Sequence, residues 1–386
     1  MSQSKPKIAI IADFPWSFFL QGAQGRGGGQ ANPWLIQLAE EFVEYADEFE
    51  FHWIILDRSM AWGGEESKTW GKQYFHRLSR GKIMIDLILG YRPSKFRLLK
   101  KIKSIQPAII HCWGTERPFG IVFNHVKVPT ILSMQGVMAA YKEIDALPPG
   151  LCWKLITAFE PGFIRSANIV TAESEWGINQ VKKIAPDAKT YQVEYGVHRG
   201  FYKVEYKPNN DQPYALFVGT LDKRKGLDVL IRAMAGLEGC GWALRVVGDG
   251  ELKELVLNCG LSNVEFMGQL DWKALQGELS QARCLVLPTR ADTSPNVVKE
   301  ARVIGLPVIT TKHGGQSGYI LNGVNGLIVD PLNSAGLAKC LSCVMEDPAY
   351  AKKLGAANHE KDRAYFLPVN TAKGFVQIYN DLLQAT

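Results

Sequence analysis

Two successive series of short apolar runs, separated by stretches of helical periodicity, narrow the folds open to this sequence more than any other feature. The first series is KIAIIADF, FHWIILDR, PAIIHCWG, VPTILSMQG, ANIVTAES and TYQVEYGV. The second is YALFVGTL, WALRVVGDG, NVEFMGQL, ARCLVLPTR, PVITTKHG and GLIVDP. Their cores lack polar alternation, so both faces of each strand must be covered, as in parallel sheets flanked by helices. Segments such as PWLIQLAEEFVEYA, LDVLIRAMAGL and NVVKEARVIG carry the apolar spacing of the covering helices. The expectation is an α/β chain with two doubly wound, Rossmann-like domains. Open sheets of this kind bind ligands beyond the carboxyl ends of their strands, so a cleft between the domains is the default site.

Length agrees: 386 residues suffice for two separate cores. The stretch 201–213, FYKVEYKPNNDQP, breaks the apolar periodicity and reads as the boundary. The expected division is 1–200, 201–364 and a final helical segment 365–386. No apolar stretch is long enough for a membrane span, Asp86 interrupting the best one, IMIDLILG, and the N-terminal run is too short for a signal peptide. Seven scattered cysteines, an odd number, fit reduced thiols and a cytoplasmic location better than a disulfide framework. Cys340 and Cys343 form a lone CxxC on a helical pattern and read as buried thiols, not as a zinc site.

The stretch 291–315, ADTSPNVVKEARVIGLPVITTKHGG, carries the most chemistry. Ser294 is placed to cap a helix beginning at Pro295 and ending near Gly305. The free amides and positive dipole end at such a start suit an anion. Asp292 precedes the cap, and Glu300 lies six residues inside, ~9 Å along the axis at helical rise. The two carboxylates can therefore hold different parts of one extended ligand. An ordinary capped helix with a surface glutamate fits the same letters. GTLDKRKG, residues 219–226, puts Lys223, Arg224 and Lys225 in a turn after a strand. GRGGGQ, residues 25–30, precedes the first helix, and its Gly28 and Gly29 permit close approach to a ligand. It misses the dinucleotide fingerprint, because Gln30 stands where the third glycine belongs; after Gly248 and Gly250 the same place holds Lys253. An NAD-dependent oxidoreductase is thereby disfavoured.

Taken in order, these motifs resemble retaining GT-B glycosyltransferases of glycosyltransferase family 4 (glycosyl transferases group 1). Asp292, seven intervening residues and Glu300 are similar to that family's Glu–seven residues–Glu motif. GLPVITTKHGG, LFVGTLDKRKGLDVLIRAM, VVGDGELKEL, NVEFMGQL and GVNGLIVDP follow its pattern, most strongly from 215 to 332. The resemblance implies a hexosyltransferase-type enzyme (EC 2.4) moving a sugar from a UDP- or GDP-sugar to an acceptor hydroxyl, in surface polysaccharide or glycolipid synthesis. It implies that Glu300 holds the ribose, that Asp292, Thr293 and Ser294, at the head of the Pro295–Asn296 helix start, hold the transferred sugar, and that Lys225, with Arg224, meets the diphosphate. Gly28 and Gly29 would approach the donor phosphate from the first domain. The first domain would bind the acceptor, the second the donor, and the last helix would cross back.

The chain departs from the family at three places. Asp292 replaces a glutamate and Thr220 an arginine, while Gln135 stands where many relatives carry histidine. Gln135 can hydrogen-bond a sugar but cannot act as a base near neutral pH. The resemblance implies no metal or other cofactor, the nucleotide sugar being a substrate. A non-catalytic sugar-nucleotide-binding protein, or a nucleotide-sugar hydrolase or phosphorylase on the same scaffold, remains open.

The charge is unevenly spread. Residues 68–103 hold eleven Lys/Arg and one acid, Asp86, so 11 − 1 = +10; the whole chain carries +6, leaving +6 − 10 = −4 elsewhere. Contact with an anionic membrane at its inner, cytoplasmic face is one reading. The other is that Lys100, Lys101 and Lys103 are the wet face of a helix whose stripe is Leu98, Leu99, Ile102 and Ile105. No nucleic-acid partner is expected.

Overall fold

A computed structural model describes residues 5–20, 33–80, 83–147 and 150–385. Its first sheet contains β1 (Lys7–Ile11), β2 (Glu50–Asp57), β3 (Glu65–Trp70), β4 (Gln73–Ser79), β5 (Ile109–Trp113), β6 (Thr130–Ser133), β7 (Ile169–Ala172) and β8 (Thr190–Gln192). Their order is β3-β4-β2-β1-β5-β6-β7-β8, parallel throughout except for the β3–β4 pair. The second sheet contains β9 (Tyr214–Val218), β10 (Ala243–Val247), β11 (Val264–Gly268), β12 (Cys284–Leu287), β13 (Val308–Thr311) and β14 (Gly326–Val329). It runs β11-β10-β9-β12-β13-β14 and is entirely parallel.

Burial follows the sequence pattern. Ile8 to Ile11 of β1 and Leu285 to Leu287 of β12 are fully buried, as strands covered on both faces must be. The hairpin β3–β4 is absent from the sequence expectation. Its outer strand EESKTW has no apolar run, because an edge strand needs cover on one side only, and its charges discourage further pairing.

Each sheet reverses strand order once, between β1 and β5 and between β9 and β12. Loops leaving the two strands at such a point diverge and open a crevice. The helix Pro368–Gln384 returns to the first sheet: Ala372, Phe375 and Tyr379 are fully buried in its core, and Tyr379 Oη lies 2.7 Å from His111 Nδ1. His111 is thus a core side chain, held on its other nitrogen by Ser133 Oγ at 2.6 Å. Cys343 is exposed on the helix Ser334–Glu346, not buried as its apolar surroundings in sequence suggest.

Candidate active site

The two crevices face each other and share a cavity of about 700 Å³. From the second sheet it is lined by Gly219, Thr220, Asp222, Arg224 and Lys225 of the loop after β9. The segment after β12 adds Asp292, Thr293, Ser294, Pro295, Asn296 and Glu300. Across from these stand Glu116, after β5, and Gln135, after β6, with Tyr141, Trp153 and Glu173. The structure therefore brings together Asp292, Gln135, Lys225, Arg224, Thr293, Ser294, Pro295, Asn296 and Glu300. Gly28 and Gly29 lie outside the described residues.

The loop 219–226 is pressed against the end of β12. Gly226 has φ +75°, and a Cβ there would lie 2.0 Å from the Pro288 carbonyl oxygen, so only glycine closes this turn. The Arg224 carbonyl accepts from Arg290 N at 2.7 Å and from Thr289 Oγ1 at 3.0 Å. Asp222 Oδ1 accepts the Lys225 amide at 2.8 Å. These bonds aim both cationic side chains into the cavity. There Lys225 Nζ donates to Asp292 Oδ2, Arg224 Nη1 approaches the same oxygen at 3.3 Å, and the guanidinium carbon sits 5.1 Å from the Tyr141 ring centre. Burial alone would raise the Asp292 carboxyl, but the charges of Lys225 and Arg224 outweigh it and hold the group below its ordinary range.

The helix beyond this segment runs Asn296–Ile304, one residue shorter at its start than the sequence implies, with Pro295 in the capping position. Ser294 does not cap it. Its hydroxyl donates instead to Glu194 Oε1 at 2.7 Å, a charge-assisted bond to a carboxylate brought from the other half of the chain. The amides of Asn296 and Val297 consequently keep no acceptor among the described residues. Glu300 faces the cavity from the same helix, also without a partner among those residues, and burial pushes its carboxyl up to about 7 against the opposing charge of Lys299.

Bonds between the halves lie directly under this site. Thr293 Oγ1 donates to the Gln135 carbonyl at 2.6 Å, and Ser174 Oγ donates to the Thr293 carbonyl. Lys299, fully buried, places Nζ 3.0 Å from each of Glu173 Oε2, Glu194 Oε1 and the Tyr195 carbonyl. Burial would lower this lysine; Glu173 and Glu194 overcome that and raise it.

Sequence reasoning missed Glu116. Its carboxyl stands between Gly114 and Gly136: a Cβ built on either glycine would come within 2.9 Å of one of its oxygens, and the Gly114 one also within 3.0 Å of Gln135 Oε1. Oε2 is out of solvent and has no hydrogen-bond partner. Burial, reinforced by Glu160 and Asp13, raises the group to about 7. Glu160, also missed, accepts from Thr115 Oγ1 at 2.7 Å and from the amides of Met138 and Ala139 at 2.9 Å, clamping the loops that carry Glu116 and Gln135. A signal existed: both Glu116 and Gln135 directly follow an apolar strand, where site residues of parallel sheets sit. Among the described residues no three His, Cys, Asp or Glu side chains converge so as to hold a metal ion.

Two largely parallel α/β sheets facing across a cleft, with cations and a bare helix start on one side and Gln135 and Glu116 on the other, make up the GT-B architecture. Residues 199–361 match the family described as Glycosyl transferases group 1, glycosyltransferase family 4. The protein is an enzyme of the EC 2.4 class that transfers sugar from nucleotide-sugar donors. Similar sequences include the glycogen synthase of Mycobacterium tuberculosis H37Rv, 24% identical over 322 residues, 79% of this chain and 77% of that one. The lipopolysaccharide core biosynthesis glycosyltransferase LpsE of Rhizobium meliloti is 30% identical over 155 residues, 39% of this chain and 44% of that one. Among solved structures, sucrose-phosphate synthase from Thermosynechococcus elongatus superposes with a TM-score of 0.80 at 20% identity, covering 99% and 100% of the two chains. HepE from Anabaena, in complex with UDP and glucose, gives 0.71 at 14% identity over 97% and 100%.

Proposed function

We infer that the enzyme transfers a hexose from a UDP-sugar to a hydroxyl of a glycan or lipid-linked acceptor, with retention of configuration, in surface polysaccharide or glycolipid synthesis. One observation carries the reading: Arg224, Lys225, the bare amides of Asn296 and Val297, and the unpartnered Glu300 line a single cavity opposite Gln135 and Glu116. The cations and amides suit a diphosphate; Glu300 suits a ribose. A second cavity of about 590 Å³, sharing Gly219 and Thr220 and extending to Gly248 and Asp271, suits the base. UDP and UDP-glucose complexes of HepE support the choice of nucleotide, and the name of LpsE supports the kind of acceptor. On this reading residues 1–200 take the acceptor and 201–364 the donor.

The chemistry follows from the groups present. The bond from the anomeric carbon to the diphosphate oxygen breaks while the acceptor oxygen bonds to that carbon on the same face. The acceptor's proton passes to the leaving phosphate oxygen, since the adjacent Gln135 can position a hydroxyl but not remove its proton. Lys225 and Arg224 neutralise the charge growing on the leaving group. Asp292, displaced from Lys225 by the diphosphate, turns its oxygens to the sugar hydroxyls. Contacts such as Thr293 to Gln135 keep water from the reacting carbon.

Thermal shift with UDP, GDP, ADP and NAD tests the donor site directly. Stabilisation by UDP above the others is expected. Stabilisation by NAD and by no nucleoside diphosphate would sink the reading.

A further inference from the structure

The +10 stretch 68–103 is not one surface. Lys72 pairs with Asp47 at 3.1 Å, Arg77 with Asp57 at 2.8 Å, and Lys101 with Glu65. Arg80 is buried 3.7 Å from Asp86. Phe75 and Tyr91 are core residues. What reaches solvent lies on two successive helices, Ile83–Ile88 and Arg92–Ile105. The second turns Leu98, Ile102 and Ile105 inward and shows Arg92, Phe96, Lys100 and Lys103 outward, at helical spacing. Among the described residues no acid pairs with Arg92, Lys100 or Lys103. Asp86 is buried, bonded by the Ser94 amide and hydroxyl, and so cannot oppose them.

Apolar side chains stand among these cations. Ile85, Ile88, Leu89 and Phe96 are 51%, 73%, 47% and 70% exposed. Leu151 is 59% exposed at the start of the helix Leu151–Ser166, on which Ile83–Ile88 packs. A wet helix face accounts for the lysines but not for Ile88 or Phe96, and a polyanion such as nucleic acid needs only the cations. Cations interleaved with exposed apolar side chains are what an anionic lipid surface holds: the charges meet headgroups while the apolar groups enter the acyl boundary.

We propose that the face made by Ile85, Ile88, Leu89, Arg92, Phe96, Lys100 and Lys103 docks the enzyme on an anionic membrane. Trp153, on the helix that supports Ile83–Ile88, lines the cleft, so docking sets the acceptor side of the cavity beside the lipid. Delivery of a lipid-carried acceptor rests on the transfer reading above; the docking itself does not.

Co-sedimentation with phosphatidylcholine vesicles, with and without phosphatidylglycerol, at low and high salt, tests this. Binding is expected only with phosphatidylglycerol and should weaken in high salt. Ile88→Ser with Phe96→Ser should weaken it by roughly tenfold or more with the charge unchanged. Arg92→Glu, Lys100→Glu and Lys103→Glu together should abolish it. Every variant should keep the thermal transition of the parent, which reports folding. Absence of binding to the anionic vesicles, or binding that ignores phosphatidylglycerol, overturns the proposal. So does full binding by the Ile88/Phe96 variant, which would mark a polyanion site instead. Failure of UDP to stabilise a protein that still binds vesicles would count against the transfer reading alone.

Discussion

Lys299→Met exposes how the two halves are held at the donor site. Lys299 is 0% exposed and its Nζ makes three contacts of 3.0 Å, two of them to the carboxylates of Glu173 and Glu194. Methionine fills a similar volume, so packing is largely kept and the charge is what disappears. Two nearly buried carboxylates then face each other without a cation, a loss of about 3–5 kcal/mol where both would be ionised. At ~2 cal/mol/K per residue of unfolding entropy, a chain of this length has about 0.8 kcal/mol/K, so the transition should fall on the order of 5 °C. The pH dependence has a definite sign. Burial pushes Glu173 above its ordinary value even with Lys299 opposing, and removing the lysine raises it further. A carboxyl whose folded pKa lies above its unfolded one binds more protons in the folded state, so stability falls as pH rises between the two values. Glu173 already sits at about 8 in the parent, so the two proteins respond alike below that value, and the variant's extra deficit should be small near pH 7 and grow as pH rises past 8 toward 9. Differential scanning fluorimetry across that range measures it, and Glu173→Gln added to Lys299→Met should recover part of the loss at high pH. A transition within a degree of the parent at pH 9, or a deficit indifferent to pH, would refute the reasoning.

Three further outcomes follow from the cavity. Glu300→Gln should weaken UDP about 10- to 100-fold by titration calorimetry, the effect of a lost charged hydrogen bond; because its carboxyl sits at about 7, UDP affinity in the parent should climb from pH 6 to pH 8 and flatten in the variant. Asp292→Ala frees Lys225, so UDP affinity should hold or rise while turnover falls by at least about tenfold, seen as a drop in kcat with little change in nucleotide Kd. Glu116→Gln should lower turnover without changing UDP affinity, since Glu116 stands across the cavity from the cations; equal loss of both would move it to the donor side.

Much of the architecture was legible because burial on both faces writes itself as unbroken apolar runs such as IAII at 8–11 and CLVL at 284–287. The β3–β4 hairpin was not, since EESKTW obeys no core and its pairing depends on β4 lying beside it. At the site, the acid pair around residue 296, the lysine-bearing turn and Gln135 could be found by local spacing or resemblance. Ser294 shows the limit: the local rule assigns it to a helix cap, yet Glu194, a hundred positions away, takes its hydroxyl. Glu116 went unnoticed because a single glutamate after a strand differs in no way from a surface one until Gly114, Gly136 and Gln135 enclose it.

The sequence by itself determined where the core strands and their covering helices form, that both sheets are parallel at their centres, and most of the loops that carry chemistry, because periodicity and turn residues act over a few neighbours. Only the tertiary structure decided who bonds whom: Asp292 with Lys225 across 67 positions, Lys299 with Glu173 across 126, and Phe96 left in solvent among lysines. Hydrogen bonds and ion pairs reach only a few ångströms, and distance in space is the one quantity that order along a chain does not contain.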